Sequence, residues 1–384
     1  MDVYKEMALE ILRDLISFQS VNKPGDEKPV AEYIEGLLKR EGFSTELQIV
    51  GENRANIIAR TGEGPCKLIL NGHLDVVPAG EGWTKEAFTL TKEGEYLYGR
   101  GTCDMKGAIA AMITAAIRLK REGAVKGNCE LVLAFVADEE VDGIGTKRFI
   151  QNFQKGKRNW VVVGEATGNQ LNIAHRGVIR FRVTIKGKQC HAGQPDAGIN
   201  ALTLMAAFLL KIDQWNEALG KMKPDILPPP TVAATVLHGG IKDNIIPGTC
   251  EVVLDCRTVP GDTRESLERK IEGILTDLFH HKEIGWAIEE FIQVTPSAVL
   301  PSSDIVRTAG AVYAEYRGNK PKITYFPACC DMSWFHQGGF EAIIWGPGSI
   351  DQAHIKDEFL EEKQLYEAME LYRKFFLKAQ ESAQ

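Results

Sequence analysis

Five residues with metal-type donor atoms stand where buried strands would end, or in short glycine-rich links. His73 closes the apolar run Leu68-Ile69-Leu70-Asn71-Gly72, and Asp75 follows it two residues on. Glu140 comes after the run 130–137, Glu165 after 160–163, Asp104 within Gly99-Arg100-Gly101-Thr102-Cys103-Asp104, and His354 after Gly346-Pro347-Gly348. These are hard or borderline donors with no thiolate among them. Such a set suits Zn2+ and tolerates Co2+ or Mn2+. Five ligands are too many for one tetrahedral ion. They suit two ions about 4 Å apart that share one carboxylate and leave positions for water. A ligating histidine also needs a partner on its other ring nitrogen, and the His73-x-Asp75 spacing offers one.

The adjacent pair Glu139-Glu140 adds a second kind of chemistry. Neighbouring carboxylates at a strand end repel unless a cation or proton intervenes, and successive side chains there diverge. One of them can bind metal while the other stays free as a base. The plain alternative is a solvated acidic turn made with Asp138 and Asp142. A buried strand just before the pair, in a chain that also holds His73 and His354, favours the chemical reading.

The elements that must position these residues follow from periodicity. Val3, Met7, Ile11 and Leu15 recur at helical spacing, and residues 30–40 form a second amphipathic helix. Strand-like runs at 45–50, 55–59, 68–73, 130–137 and 160–163 alternate with helices, notably the alanine-rich 108–119. That alternation predicts an α/β fold with a mixed, mostly parallel sheet flanked by helices, whose strand ends carry the ligands. The pattern then changes. Ile179, Phe181, Val183 and Ile185 alternate with Arg180, Arg182, Thr184 and Lys186, a strand with one wet face. A helix over 200–215, strands over 231–237 and 249–257, a helix over 262–279 and a strand over 286–293 follow. The order β-α-β-β-α-β is that of an α+β ferredoxin-like domain. It is placed at 178–292, inserted into a catalytic domain formed by 1–177 and 293–384. After it come helices at 305–316 and 331–337, strands at 322–326 and 342–345, and a terminal helix.

A chain of 384 residues exceeds what one core usually serves, in keeping with two domains. The net charge of −7 excludes sequence-independent nucleic-acid binding, which needs a basic surface. No apolar run approaches membrane-spanning length, and the first residues lack the basic and apolar regions of a secretory leader; a cytoplasmic location is the expectation. Eight cysteines without a C-x-x-C pair read as reduced, buried thiols with packing roles, Cys103, Cys329 and Cys330 near the suspected site among them.

The segments LILNGHLDVVP, YGRGTCDMKG, ADEE, VVVGEATG and GPGSIDQAHIKDEF together resemble the acetylornithine deacetylase / succinyl-diaminopimelate desuccinylase / carboxypeptidase G family of co-catalytic metallohydrolases. The resemblance covers nearly the whole chain, in family order, and implies a zinc exopeptidase-like fold. It implies that His73 and Glu165 hold one zinc ion, that Glu140 and His354 hold the other, and that Asp104 bridges them through a link with a cis peptide. Asp75 would orient His73, and Glu139 would be the general base. The inserted domain would serve as lid and homodimer interface. His191, in Lys188-Gln189-Cys190-His191-Ala192-Gly193, would brace the oxyanion, generally in the partner subunit's site. Asn244 and Arg257 resemble the residues that hold a substrate carboxylate, and Asp331 and Gly348 would lie by the substrate pocket. For Arg257, a surface ion pair with Asp255 is the alternative. Two departures stand out: Ala87-Phe88 after Trp83, where relatives often carry proline, and Cys329-Cys330 before Asp331, where Gly-Thr is frequent.

The implied reaction is hydrolysis of the amide bond of a small N-acyl amino acid or dipeptide. Residues 346–354 resemble the acetylornithine deacetylase branch, with a desuccinylase, dipeptidase or carboxypeptidase as alternatives within the family. A non-catalytic metal-dependent binding protein is the alternative of another class. Glu139 argues against it, since a binder needs ligands but no spare base. Gly99-x-Gly101 lacks the rest of either nucleotide-binding fingerprint and is no phosphate loop.

Overall fold

The computed structural model describes residues 2–280 and 284–382. Two compact units emerge, Met1–Ala174 with Val299–Gln384, and His175–Ala298. The divisions thus fall at 174/175 and 298/299, where the sequence pattern put 177/178 and 292/293. The strand Asn172–His175 runs almost directly into Gly177–Lys186, so no linker composition marks the first crossing.

In the first unit a twisted sheet runs in the order Ser44–Gly51, Arg54–Thr61, Cys129–Val136, Cys66–His73, Arg158–Val163, Glu341–Ile344, Asn172–His175. Its centre is parallel: Cys66–His73 lies between Cys129–Val136 and Arg158–Val163, and Glu341–Ile344 continues the same sense. The outer pairs are antiparallel. The four parallel strands therefore end on one rim: His73 closes one of them, and Asp138 and Glu165 come two residues after the ends of two others. Strands at this depth are apolar on both faces, because helices cover both. Leu68, Ile69, Leu131 to Val136 and Val161 to Val163 are all buried.

The helix Lys106–Arg121 is enclosed on nearly every side, with buried residues from Lys106 through Ile117. Such a helix reads apolar all round, which is why its sequence is alanine-rich. Its one buried amine is satisfied: Lys106 Nζ donates to the carbonyls of Leu15 (3.0 Å) and Phe18 (2.8 Å), where the helix Val3–Ser17 ends. A side-chain donor on the last carbonyls of a helix replaces the backbone partners missing there. Among the described residues, no helix is long and apolar enough to cross a membrane.

The link before that helix, which carries Asp104, is gripped by one fully buried carboxylate. Glu358 Oε1 accepts from the backbone N–H of Cys103 (2.7 Å) and Asp104 (3.0 Å). Its Oε2 accepts from Gly101 N (3.0 Å) and from the buried guanidinium of Arg100 (2.6 Å). The flanking residues form a small antiparallel sheet, Thr91–Glu93, Tyr96–Tyr98 and Phe359–Glu361. The sequence pattern did not predict it, because three-residue strands have too few positions to show a period.

In the second unit four antiparallel strands lie in the order Thr231–Gly239, Thr249–Thr258, Gly177–Lys186, Gly285–Val294. With the helices Ala201–Leu219 and Arg264–Phe279 this is the ferredoxin-like arrangement. Phe181, Val183, Ile185, Phe208, Ile271 and Leu275 form its core. The second helix starts one residue after its cap Thr263, which exchanges hydrogen bonds with Ser266 in a capping box.

Glu358→Ala strips a buried guanidinium and three backbone donors of their acceptor. Chemical denaturation is expected to show a loss of about 3–5 kcal/mol.

Candidate metal centre

Each candidate donor sits at the end of an element that the sheet aims at one rim. His73 is the last residue of its strand, and its ring is buried. Asp104 precedes the helix Lys106–Arg121, and the Asp104–Met105 peptide is cis. Glu140 and Glu165 follow the strands on either side of His73, and His354 comes from the loop after Ile350–Gln352. The chain folds so that these meet. Asp104 Oδ1 lies 3.0 Å from His73 Nε2, and its Oδ2 lies 3.2 Å from His354 Nε2. His354 Nε2 is also 3.1 Å from Glu140 Oε1. Two donor triads result, His73 with Asp104 and Glu165, and Asp104 with Glu140 and His354, each with one donor atom per residue within 4.8 Å of the others. Asp104 belongs to both, with one oxygen turned to each histidine.

The electrostatics follow from crowding. Burial alone would raise Asp104, but hydrogen bonds with His354 and His73 hold it well below the usual carboxylate range. Those contacts push His354 up to about 10. Burial pushes Glu165 well up, and the charge of Asp104 adds to it. Glu139 is also driven well above its ordinary value by burial, offset by His73 and reinforced by Glu165, Asp331 and Glu140. Carboxylates this close need positive charge among them. Imidazolium protons supply it in part, and divalent cations fit the same donor set better, since oxygen and imidazole ligands in two triads with a shared carboxylate match a paired-ion site.

His73 is oriented by Asp75, though through a different atom than the sequence spacing suggested. Nδ1 is 2.9 Å from the main-chain carbonyl of Asp75, whereas the carboxylate is 3.6 Å away. The carboxylate is engaged elsewhere. It accepts from the backbone N–H of Glu139 and of Glu140, both at 3.1 Å, and from Asn22 Nδ2 at 2.8 Å. Asp75 therefore ties the His73 strand to the acidic segment that follows the neighbouring strand.

Behind it runs a buried polar chain. Asn22 also donates to Asp138 (3.1 Å), Asp138 pairs with Arg54 Nη1 (2.8 Å), and Arg54 Nε reaches Glu27 (3.0 Å). Burial raises Glu27, opposed by the hydrogen bond with Arg54. Asp138 and His354 both have positive φ, 72° and 63°, in a region that residues other than glycine seldom occupy. Such outliers persist where the surroundings over-determine them; His354 is itself a donor, and Asp138 comes two residues before Glu140.

The remaining expected residues are placed as follows. Asp331 is buried at the start of the helix Met332–Gln337, within the field of Glu139 and Glu165, and burial pushes it up to about 6. Gly348 has φ 91°, and a Cβ there would come within 2.6 Å of Cys103 Sγ. Cys103 itself donates to the Ser349 carbonyl, a packing contact. In the second unit, Ala192 N donates to the Asn244 carbonyl (2.9 Å), which brings the His191 and Asn244 segments side by side. His191 is exposed, and its Nδ1 accepts from Gly193 N. Arg257 Nε is paired with Asp255 (2.8 Å), which also accepts from Arg180, so the ion-pair alternative holds in this structure. Glu358, Asn22, Asp138, Arg54 and Glu27 were not foreseen. Glu358 carried a signal as an acid inside the segment that contains His354, and Asp138 as the acid just before Glu139-Glu140; Asn22, Arg54 and Glu27 carried none.

Residues 69–378 match the family model described as peptidase family M20/M25/M40. An acetylornithine deacetylase of Photorhabdus laumondii is 31% identical over 368 residues, covering 92% of each chain. Another, of Myxococcus xanthus, is 32% identical over 348 residues, covering 86% of this chain and 87% of that one. Among solved structures, aminopeptidase PepT from Bacillus cereus superposes with a TM-score of 0.80 at 17% identity, covering 98% of both chains. An M20 family metallo-carboxypeptidase from Sulfolobus solfataricus gives 0.74 at 18% identity, covering 99% of both. The sheet order, the converging donors and the matched sequence agree: the chain belongs to peptidase family M20/M25/M40.

Proposed function

We propose that the protein hydrolyses the amide bond of a small N-acylated amino acid, with an N-acetylated basic amino acid such as acetylornithine as first candidate. One observation carries this reading: Asp104 stands between two imidazoles, one oxygen toward each, beside a glutamate, Glu139, that belongs to neither donor triad. Relatives named acetylornithine deacetylase support the substrate class.

In this proposal His73 and Glu165 hold one divalent cation, Glu140 and His354 hold another, and Asp104 holds both; zinc is the first candidate, with cobalt or manganese able to replace it. Bound there, the cations supply Lewis-acid polarisation of the scissile carbonyl and make water more acidic. Glu139 takes the proton from the attacking water and passes it to the leaving amine. A carboxyl raised by burial and neighbouring acids suits both steps, because its affinity for the proton lies closer to neutrality. Asp75 positions it through the backbone N–H of Glu139 itself. For the second unit the assignments rest on side-chain chemistry. His191 offers an N–H to a developing oxyanion, while Asn244 and Arg257 offer donors to a carboxylate. Asp331 and Gly348 are assigned to the substrate pocket.

The proposed partner is a second copy of the chain, joined through the second unit. Its strand Thr231–Gly239 is a sheet edge whose backbone has no further neighbour among the described residues, and Val236, Leu237 and Ile241 are exposed on and just after it. An open edge with apolar side chains invites pairing.

Supplied with zinc or cobalt, the protein is expected to release acetate, succinate or an amino acid from a panel of N-acyl amino acids and dipeptides, acetate foremost. No turnover of any amide would end the hydrolase reading, and exhaustive chelation should abolish activity until metal is restored. Glu139→Gln should lower kcat by about 10²–10⁴-fold with metal content by atomic emission unchanged; unchanged turnover would remove Glu139 as the base. Leu237→Asp should shift the sedimentation coefficient from dimer to monomer.

A further inference from the structure

At the end of the central strands remote from His73, two thiols meet. Cys66 opens the strand Cys66–His73 and Cys129 opens Cys129–Val136, and the two are in-register partners of a parallel pair. In-register side chains share a face. Neighbouring strands lie about 4.8 Å apart, within the Cα separations of roughly 4.4–6.8 Å that a disulfide spans. The Sγ atoms are 2.9 Å apart, with the Cys129 thiol donating to Cys66. Arg158 aims two further donors at the same sulfur, Nη2 at 2.8 Å and Nε at 3.1 Å.

Three donors on one sulfur suit a thiolate, since a neutral thiol is a weak acceptor. The hydrogen bond from Cys129, with the guanidinium behind it, lowers Cys66 to about 7, while the same contact pushes Cys129 up. The guanidinium is held in place. It lies over the Trp160 ring, 4.1 Å from the centroid, and donates to Ser382 Oγ and to the Ala379 carbonyl at the end of the helix Glu362–Glu381. Lys67 and Glu130, the next residues on each strand, neutralise one another at 2.6 Å. Packing alone calls for none of this. A pair of thiols that merely fills space needs no cation directed at one of its sulfurs.

We propose that Cys66 and Cys129 form a redox-active dithiol that takes hydroperoxides as its oxidant, with Cys66 as the attacking thiolate and Cys129 as the resolving thiol. The Cys66 thiolate attacks one peroxide oxygen and the O–O bond breaks. The leaving alkoxide or hydroxide takes up a proton, and Cys66 becomes a sulfenic acid. The Cys129 sulfur then attacks the Cys66 sulfur, an S–S bond forms, and the S–O bond breaks; the hydroxyl leaves as water with the Cys129 proton. In sum, two thiols and one hydroperoxide give one disulfide, one alcohol or water from the peroxide, and one further water. Cys66 is only 3% exposed, which restricts the oxidant to a small molecule. This site is separate from the hydrolytic one and does not depend on it.

The test treats the full-length protein with a slight excess of hydrogen peroxide, alkylates the remaining thiols under denaturing conditions, and maps the unreduced digest by mass spectrometry. The expected product is a peptide pair joined through Cys66 and Cys129, two hydrogens lighter than the sum of its parts and released by dithiothreitol. Recovery of both cysteines in alkylated form overturns the proposal, whether or not other thiols oxidise. Cys129→Ser should trap a dimedone-reactive sulfenic acid at Cys66, and Cys66→Ser should give none at Cys129; the reverse labelling overturns the assigned order. Arg158→Leu should slow disulfide formation several-fold at pH 7, and an unchanged rate removes the guanidinium from the mechanism.

Discussion

Like charge crowded into a small volume is the constraint around which this molecule is arranged. Asp104, Glu139, Glu140 and Glu165 converge on two imidazoles at one rim of a buried sheet, with Asp331 close enough to feel them. Left to itself such a group would spread apart or take up protons. Its members stay together because each is fixed by the element that carries it. Glu139, Glu140 and Glu165 follow the two strands that flank the His73 strand in parallel register, and Asp104 is locked by the four donors that Glu358 gathers.

The support is itself built from buried charge, and it tolerates burial because every member is paired. Glu27, Arg54, Asp138, Asn22 and Asp75 run in sequence from the helix Lys28–Arg40 to the backbone of Glu139 and Glu140. The charges of this network are all paired, with Asn22 Oδ1 its one buried atom that lacks a hydrogen bond among the described residues; a missing partner at any of the charges would leave it desolvated. The unusual backbone at Asp138 and His354 belongs to the same economy of constraint. Asp138 adopts a left-handed conformation while its carboxylate is held by Asn22, Arg54 and the N–H of Ile144. The conformation redirects the chain just before the two adjacent glutamates, which lets one enter a donor triad while the other does not.

The strand Cys66–His73 links two chemically distinct ends. At His73 the ring's neighbours are carboxylates, with Asp104 at 3.0 Å; at Cys66 the neighbour is the cation Arg158 and the sulfur is the acceptor. Between them the strand is apolar apart from Lys67, which pairs with Glu130, and Asn71, whose amide donates to the Ala134 carbonyl. The Cys66–Cys129 pair and the metal-type donor at His73 thus stand at opposite ends of one strand.

Much of the fold was legible because its signals are periodic. The strict alternation from Ile179 to Lys186 and the apolar runs before His73, Glu140 and Glu165 correspond to strands with the expected faces, and the donors sit at the ends where such runs stop. By residue type and spacing alone, the chain determined that its hard donors would collect at strand ends and that a ferredoxin-like unit would interrupt the first. The tertiary structure decided what spacing cannot encode. It turned the Asp75 carboxylate away from His73 and onto the next strand's loop, tied Arg257 to Asp255, set Arg158 against Cys66 across 92 residues, and chose Glu358, 254 residues from Asp104, as the clamp on its backbone. Local periodicity follows from backbone geometry and is written into neighbouring residues. A hydrogen bond between distant segments depends on where the whole chain has packed, and only the folded molecule contains that information.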